Sequence, residues 1–225
     1  MRQLPLDLSL KDPPTFANFW QGSNGESWAA ARYLAEGGTG PLYLWGPGQC
    51  GKTHLLVAAA RLATEAGASC AYVSCDDAPS WAALADLPSD ALVCIDGLEH
   101  AAGRPDGERA LFLAFETFVP HRRLLLAAAG NPSTLPVARA DLRTRLASGP
   151  VIHMTAPTHD DLVSILVERA RHRGLELTHE GAQYLLCRSP REPRLLIEQL
   201  AGLDRAALAD GRRLTLPFLR AWLKG

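Results

Sequence analysis

The segment that most constrains this chain is Gly46-Pro47-Gly48-Gln49-Cys50-Gly51-Lys52-Thr53, which fits the pattern G-x-x-x-x-G-K-[ST] in full. It follows an apolar run ending at Trp45 and opens a helical pattern near Lys52, the context the pattern requires. Glycines let backbone N–H groups turn inward around phosphate oxygens, and the helix N-terminus adds the positive end of its dipole. A lysine at this place, here Lys52, reaches the β- and γ-phosphates, and a hydroxyl, here Thr53, binds Mg2+. Lysine occurs elsewhere only at positions 11 and 224, so its use at 52 is selective. The chain is therefore expected to bind ADP or ATP with Mg2+ through Gly46 to Thr53 and the adjoining His54.

Short apolar runs surround this loop at Leu42 to Trp45, Ala71 to Ser74, Ala91 to Ile95, Leu124 to Ala128 and Val151 to Met154. They lack polar alternation, as strands of a parallel sheet buried on both faces do. Helical patterns lie between them, including His54 to Ala66 and Arg109 to Phe118. The expectation is an α/β fold, a parallel sheet with helices on both faces. Past residue 157 the character turns all-helical: Thr158 with Asp161 can cap a helix through Arg173, Gly174 ends it, and Thr178 to Arg188 forms the next. Ser189-Pro190 is expected to start a third helix and Leu216 to Leu223 a fourth. The expected divisions are a tail over 1–13, a nucleotide-binding α/β domain over 14–157 and a helical lid over 158–225.

The run before Asp96 ends as a Walker B strand does, with an acid that holds a Mg2+-bound water, so Thr53 and Asp96 are the metal-side residues. Many such proteins carry a second carboxylate immediately afterwards to polarise the attacking water. Gly97 stands there instead, so intrinsic hydrolysis should be weak or absent. Gly97→Glu raises it only if the strand end accepts a side chain. Glu99 is close in sequence, but nothing in the sequence brings it to the site.

A net charge of −1 argues against a protein that coats nucleic acid. The five cysteines include no C-x-x-C pair and read as thiols of a reducing compartment, Cys50 being the one placed to sense oxidation. The N-terminus lacks the pattern of a signal peptide, and no run is long enough to span a bilayer. A soluble cytoplasmic protein without membrane contact is expected.

Taken in order, GQCGKTHLLVAAA, VCID, ADLRTRLASG and REPRLLIEQL resemble the AAA+ module of the DnaA-like proteins, and more closely the short Hda family within them. The resemblance runs from Gln3 to Leu223. It implies an AAA+ P-loop domain with a helical lid, in which Asn131 is the polar sensor past the fourth strand and Arg194 the lid arginine that senses nucleotide. Arg145 corresponds to an arginine finger offered in trans; Arg143 beside it has no assigned role. The stretch Pro14 to Asn24 resembles the lining of an adenine pocket, although Phe19 and Trp20 suit a plain core equally well.

Alone, Gln3-Leu4-Pro5-Leu6 reads as a frayed terminus; through the resemblance, Gln3, Leu4 and Leu6 become a motif for the DNA polymerase III sliding clamp. The partners implied are DnaA, that clamp, a nucleotide, and DNA indirectly through the clamp; monomer and homodimer stay open. The function implied is a regulatory adaptor that stimulates hydrolysis of DnaA-bound ATP, holds ADP itself and so prevents re-initiation of replication. The rival is an autonomous AAA+ ATPase, a helicase loader or remodelling motor, which the intact loop favours and Gly97 disfavours. A nucleotide kinase ranks below both, for want of a second basic site.

Overall fold

The computed structural model describes residues 13–76, 88, 90–117, 123–189, 192–210 and 214–223, the side chains of 194 and 208–210 excepted. It divides into two compact units, Met1–Ala156 and Pro157–Gly225. The first holds a sheet of β1 (Gly40–Trp45), β2 (Cys70–Ser74), β3 (Leu92–Asp96), β4 (Arg123–Ala128) and β5 (Val151–His153). All pairings are parallel, in the order β2-β3-β4-β1-β5. Its helices are α1 (Gly25–Ala35), α2 (Lys52–Glu65), α3 (Pro105–Thr117) and α4 (Ala140–Leu146).

The apolar runs form strands because alternate residues can be buried on opposite faces. Leu42, Leu44, Leu92, Cys94, Leu125 and Ala127 pack under Ala31 and Leu34 of α1 and Leu55, Leu56 and Ala59 of α2. Tyr43, Val93, Ile95, Leu124 and Leu126 pack on the other face against Leu111 and Phe115 of α3 and Leu142 and Leu146 of α4. Each fully buried leucine contributes about 1.5–3 kcal/mol. Arg123 opens the central strand yet is buried; its guanidinium donates to the carbonyls of Leu34, Ala35 and Asp90, tying the end of α1 to the sheet.

Helix α2 begins at Lys52, where the phosphate-loop pattern expects it, since the loop runs directly into it; α3 begins four residues earlier than expected, at Pro105. Proline suits a first helical position, and Asp106 and Glu108 in that turn complement the dipole. Helix α1 was not expected: its sequence GESWAAARYLA sits beside aromatic residues that read as pocket lining or core.

The second unit contains α5 (His159–His172), α6 (His179–Leu186), α7 (Pro193–Asp210) and α8 (Leu216–Trp222). Thr158 caps α5 in a reciprocal box with Asp161, and Thr178 and Thr215 cap α6 and α8. The third helix corrects the expectation at Ser189-Pro190. It starts at Pro193, where a proline occupies the first turn without losing a helical N–H bond, while residues 190 and 191 lie outside the described ones. Leu162, Leu166, Leu185, Leu196, Leu200, Leu203 and Leu219 make this unit's own core.

One buried acid sets the position of α4. Glu108 of α3 is 2% exposed, and its carboxylate accepts from the backbone N–H groups of Gly103, Ala138 and Arg139. Burial pushes its pKa upward, but these three donors and the Arg139 charge outweigh that and hold it below the usual carboxylate range. Glu108→Ala should destabilise the protein by about 2–4 kcal/mol, because it leaves buried N–H groups unpaired. A lowered folded pKa means the stabilisation is complete above the unfolded pKa, about 4.3, and is lost as pH falls through the folded value. Denaturant melts should therefore show the gap between wild type and Glu108→Gln closing below about pH 4.

Candidate nucleotide-binding site

The phosphate loop lies at the carboxyl edge of the sheet, between β1 and the first turn of α2. Gln49 takes a positive φ of 65°, a conformation non-glycine residues adopt rarely and mostly where the surroundings enforce it. At Gly46 (φ 157°) a Cβ would collide with the carbonyl oxygen of Met154, so close approach of the two backbones requires glycine. Lys52 Nζ donates to the carbonyls of Gly46 and Pro47 at 2.7 and 2.8 Å and lies 3.6 Å from Cys50 Sγ. Cys50 is buried beneath the loop. Gly48 and Gly51 complete the turn into the helix.

Thr53 and Asp96 meet: Thr53 Oγ1 donates to Asp96 Oδ2 at 2.6 Å across 43 positions of sequence. The same oxygen accepts from Tyr72 Oη at 3.0 Å. Burial, and then the Asp96 charge, push the Tyr72 phenol well above its ordinary pKa, so it remains a donor. Inward N–H groups and a lysine beside a hydroxyl–carboxylate pair suit a nucleotide's phosphates with Mg2+, a hard cation that prefers oxygen ligands.

Sequence reasoning gave Tyr72 no role and Asn24 only a place at the end of the pocket-like stretch. Asn24 is 8% exposed; its side chain exchanges two 2.9 Å hydrogen bonds with the backbone of Thr155 and reaches Cys50 O at 3.5 Å. It thus ties the entry of α1 to the phosphate loop and to the chain leaving β5. His54 turns its ring to Phe19, centroids 5.3 Å apart, and its Nε2 to the carbonyl of Thr15 at 2.9 Å. Phe16 packs edge-on against Trp28, whose indole donates to Phe16 O at 3.0 Å. The stretch before α1 is therefore a braced aromatic wall beside the loop, and His54 belongs to that wall.

Beyond β3, Gly97 has φ 72° and ψ 40°, the left-handed region. Glu99, in the short 3-10 turn Leu98–His100, accepts from Ala129 N at 2.9 Å and so bridges the ends of β3 and β4. Asn131 lies past β4, where its side-chain oxygen accepts from Ser133 N and Oγ. It borders a groove of about 510 Å³ with Arg143, Thr144 and Val151.

Arg145 and Arg143 both lie in α4 and are held differently. Arg145 pairs with Glu116 of α3 and stands 4.5 Å over the Phe112 ring, which also carries Arg139 at 3.9 Å. Arg143 donates to the carbonyl of Val137. Arg194 is in the first turn of α7, and its side chain lies outside the described residues, as do Gln3, Leu4 and Leu6.

A sheet with β4 inserted between the phosphate-loop strand and the acid-bearing strand, followed by a helical unit, defines an AAA+ P-loop protein. A model of the Hda lid domain matches residues 159–223. Among solved structures, domain III of the Thermotoga maritima replication initiation protein DnaA aligns at 21% identity and a TM-score of 0.74, covering 93% of this chain and 95% of that one. AMPPCP-bound DnaA from Aquifex aeolicus aligns at 21% and 0.69, covering 90% and 67%. The Thermotoga maritima RuvB Holliday junction branch migration motor aligns at 20% and 0.66, covering 91% and 68%. Against a DNA replication initiation factor and the Aquifex DnaA, the chain spans 65% and 67%, about two thirds, of the other's length. Residues 159–223 thus match the Hda lid, and the chain has the AAA+ fold that these structures share. No helix among the described residues is long and apolar enough to cross a membrane.

The backbone at Gly97 answers whether a side chain fits there. A Cβ would force an L-residue into the left-handed region and lie 3.2 Å from the His100 ring. Gly97→Ala should cost about 1–2 kcal/mol, read as a lowered urea midpoint at unchanged slope. An equal or higher midpoint would show that the local backbone relaxes.

Proposed function

We propose that the protein is a regulatory adaptor that binds ADP·Mg2+ in its own loop and offers Arg145 in trans to ATP bound by DnaA. The sliding clamp, docked through Gln3, Leu4 and Leu6, holds it on DNA. The observation carrying this reading is the Thr53–Asp96 hydrogen bond at an intact phosphate loop, in a chain whose second unit matches the Hda lid. The AMPPCP held by the Aquifex DnaA supports nucleotide as the ligand class.

In this reading, the loop amides and Lys52 bind the phosphates, Thr53 and Asp96 serve the cation side, and Arg194 and Asn131 sense the nucleotide. Magnesium, when bound, neutralises phosphate charge. Gly97 offers no carboxylate to orient a water, so the chain's own turnover is slow and its ADP acts as a structural ligand. A motor or helicase loader would need that missing acid.

The Arg145 guanidinium must reach a partner's phosphate, and its present contacts do not prevent this. The Arg145 and Glu116 side chains are 32% and 49% exposed, and such pairs contribute about 0–1 kcal/mol. A trans arginine finger contributes roughly 10³- to 10⁵-fold in rate, about 4–7 kcal/mol. The finger wins by a wide margin. Until then the guanidinium rests over the Phe112 ring.

Single-turnover hydrolysis of ATP preloaded on DnaA, with clamp-loaded DNA present, tests the finger. Arg145→Ala should keep ADP binding but lose most of the stimulation, and Arg145→Lys should recover little, lacking the planar fork. Arg143→Ala should lower thermal stability, by loss of its bond to Val137, and leave stimulation largely intact. Full stimulation by Arg145→Ala would refute the mechanism, and robust turnover without DnaA would favour the motor.

The tether makes a separate expectation. Protein with Gln3, Leu4 and Leu6 all changed to Ala should lose clamp binding in a surface-plasmon assay while retaining its ADP affinity. Equal clamp binding by the two proteins would remove the tether.

A further inference from the structure

Tyr72 makes a contact that the phosphate-loop motif does not require. It lies on β2, in register with Cys94 of β3, and Ser74 is level with Asp96. From two residues below, the phenol reaches up the sheet face to Asp96 Oδ2 at 3.0 Å. Its ring packs, half-buried, in the cluster beneath α2. Thr53 donates to the same oxygen at 2.6 Å, and among the described residues no hydrogen bond engages Oδ1. Two donors therefore converge on one oxygen of a carboxylate whose other oxygen is left for a ligand.

We propose that Tyr72 is a positioning residue for the magnesium-bound nucleotide, acting by fixing the rotation of the Asp96 carboxylate. This deepens, and rests on, the nucleotide reading above. The terminal torsion of a carboxylate is broad and poorly self-restrained. Thr53 cannot fix it alone, because it makes a single bond to that carboxylate and its oxygen must also face the cation. Tyr72 supplies the second point of attachment from a ring held in the core. With Oδ2 held twice, Oδ1 keeps one direction, and the cation's water meets an acceptor already in place. Nothing in this arrangement bears on the phosphates themselves, which the loop amides and Lys52 hold. Tyr72 should therefore matter to Mg2+-bound ADP and hardly at all to metal-free ADP. A tyrosine serving only the core would affect both equally.

Calorimetric titration of the full chain with ADP, in excess Mg2+ and separately in EDTA, distinguishes the two. Tyr72→Phe keeps the ring and so the packing. Its affinity in EDTA should stay within about twofold of wild type, and its affinity in Mg2+ should fall about 5- to 10-fold, the scale of one net hydrogen bond acting through the carboxylate. In an Asp96→Asn background the same change should add no magnesium-specific loss, since its action runs through that carboxylate. Equal losses in Mg2+ and EDTA would overturn the proposal in favour of a structural role, and so would a magnesium-specific loss that persists with Asp96→Asn. A variant whose Mg2+ advantage equals that of a nucleotide-binding wild type overturns this proposal alone. A wild type without ADP affinity overturns the nucleotide reading, and this proposal with it.

Discussion

The hydrogen bond from Thr53 to Asp96 is the point on which the first unit converges. It requires β1 and β3 to end at the same edge with β4 between them, and it requires α2 to leave the loop at an angle that aims its first turn across β4. A parallel sheet meets the first demand only if both faces are covered, because its crossover helices must lie on them. The two apolar clusters, one under α1 and α2 and one under α3 and α4, are therefore conditions of the site as well as of the fold.

Polar side chains then hold the working edge where apolar packing stops. Asn24 joins the loop to the chain after β5, Tyr43 donates to Gly130 O at 2.8 Å beneath the turn after β4, and Glu99 spans β3 and β4. Glu108 does the same for α4 from the opposite end of its segment. Each satisfies backbone groups that a turn leaves unpaired, which is why their partners at Ala129, Gly130, Ala138, Arg139 and Thr155 sit outside regular elements.

How much of this was legible in the sequence depended on how local the signal was. Gly46 to Thr53 and Asp96 could be read directly, since strand, loop and helix are contiguous and each residue type has a fixed chemical task. The strands could be read from unbroken apolar runs, and the cap at Thr158 from its partner three residues on. The contacts of Tyr72 and Asn24 could not be read, because their partners lie 24 and 131 positions away and only the folded sheet with its connections brings them together. Pro190 misled because Pro193 offers the same helix-starting geometry, and sequence gives no means of choosing between neighbouring prolines. Glu99 was noticed but had no address until the end of β4 lay beside it. His54 follows the motif in sequence, and its position on α2 brings its ring to Phe19 and Thr15 beside the loop, contacts the motif gave no means of reading.

The left-handed backbone at Gly97 has a consequence for how such a chain can change. Placing an acid there requires a new side chain and a new backbone path together, since either alone meets strain or leaves no carboxylate. The two routes away from glycine are thus coupled, and a single codon change reaches only the strained intermediate. A population of such proteins drifting under mutation would find other surfaces easier to alter than this position.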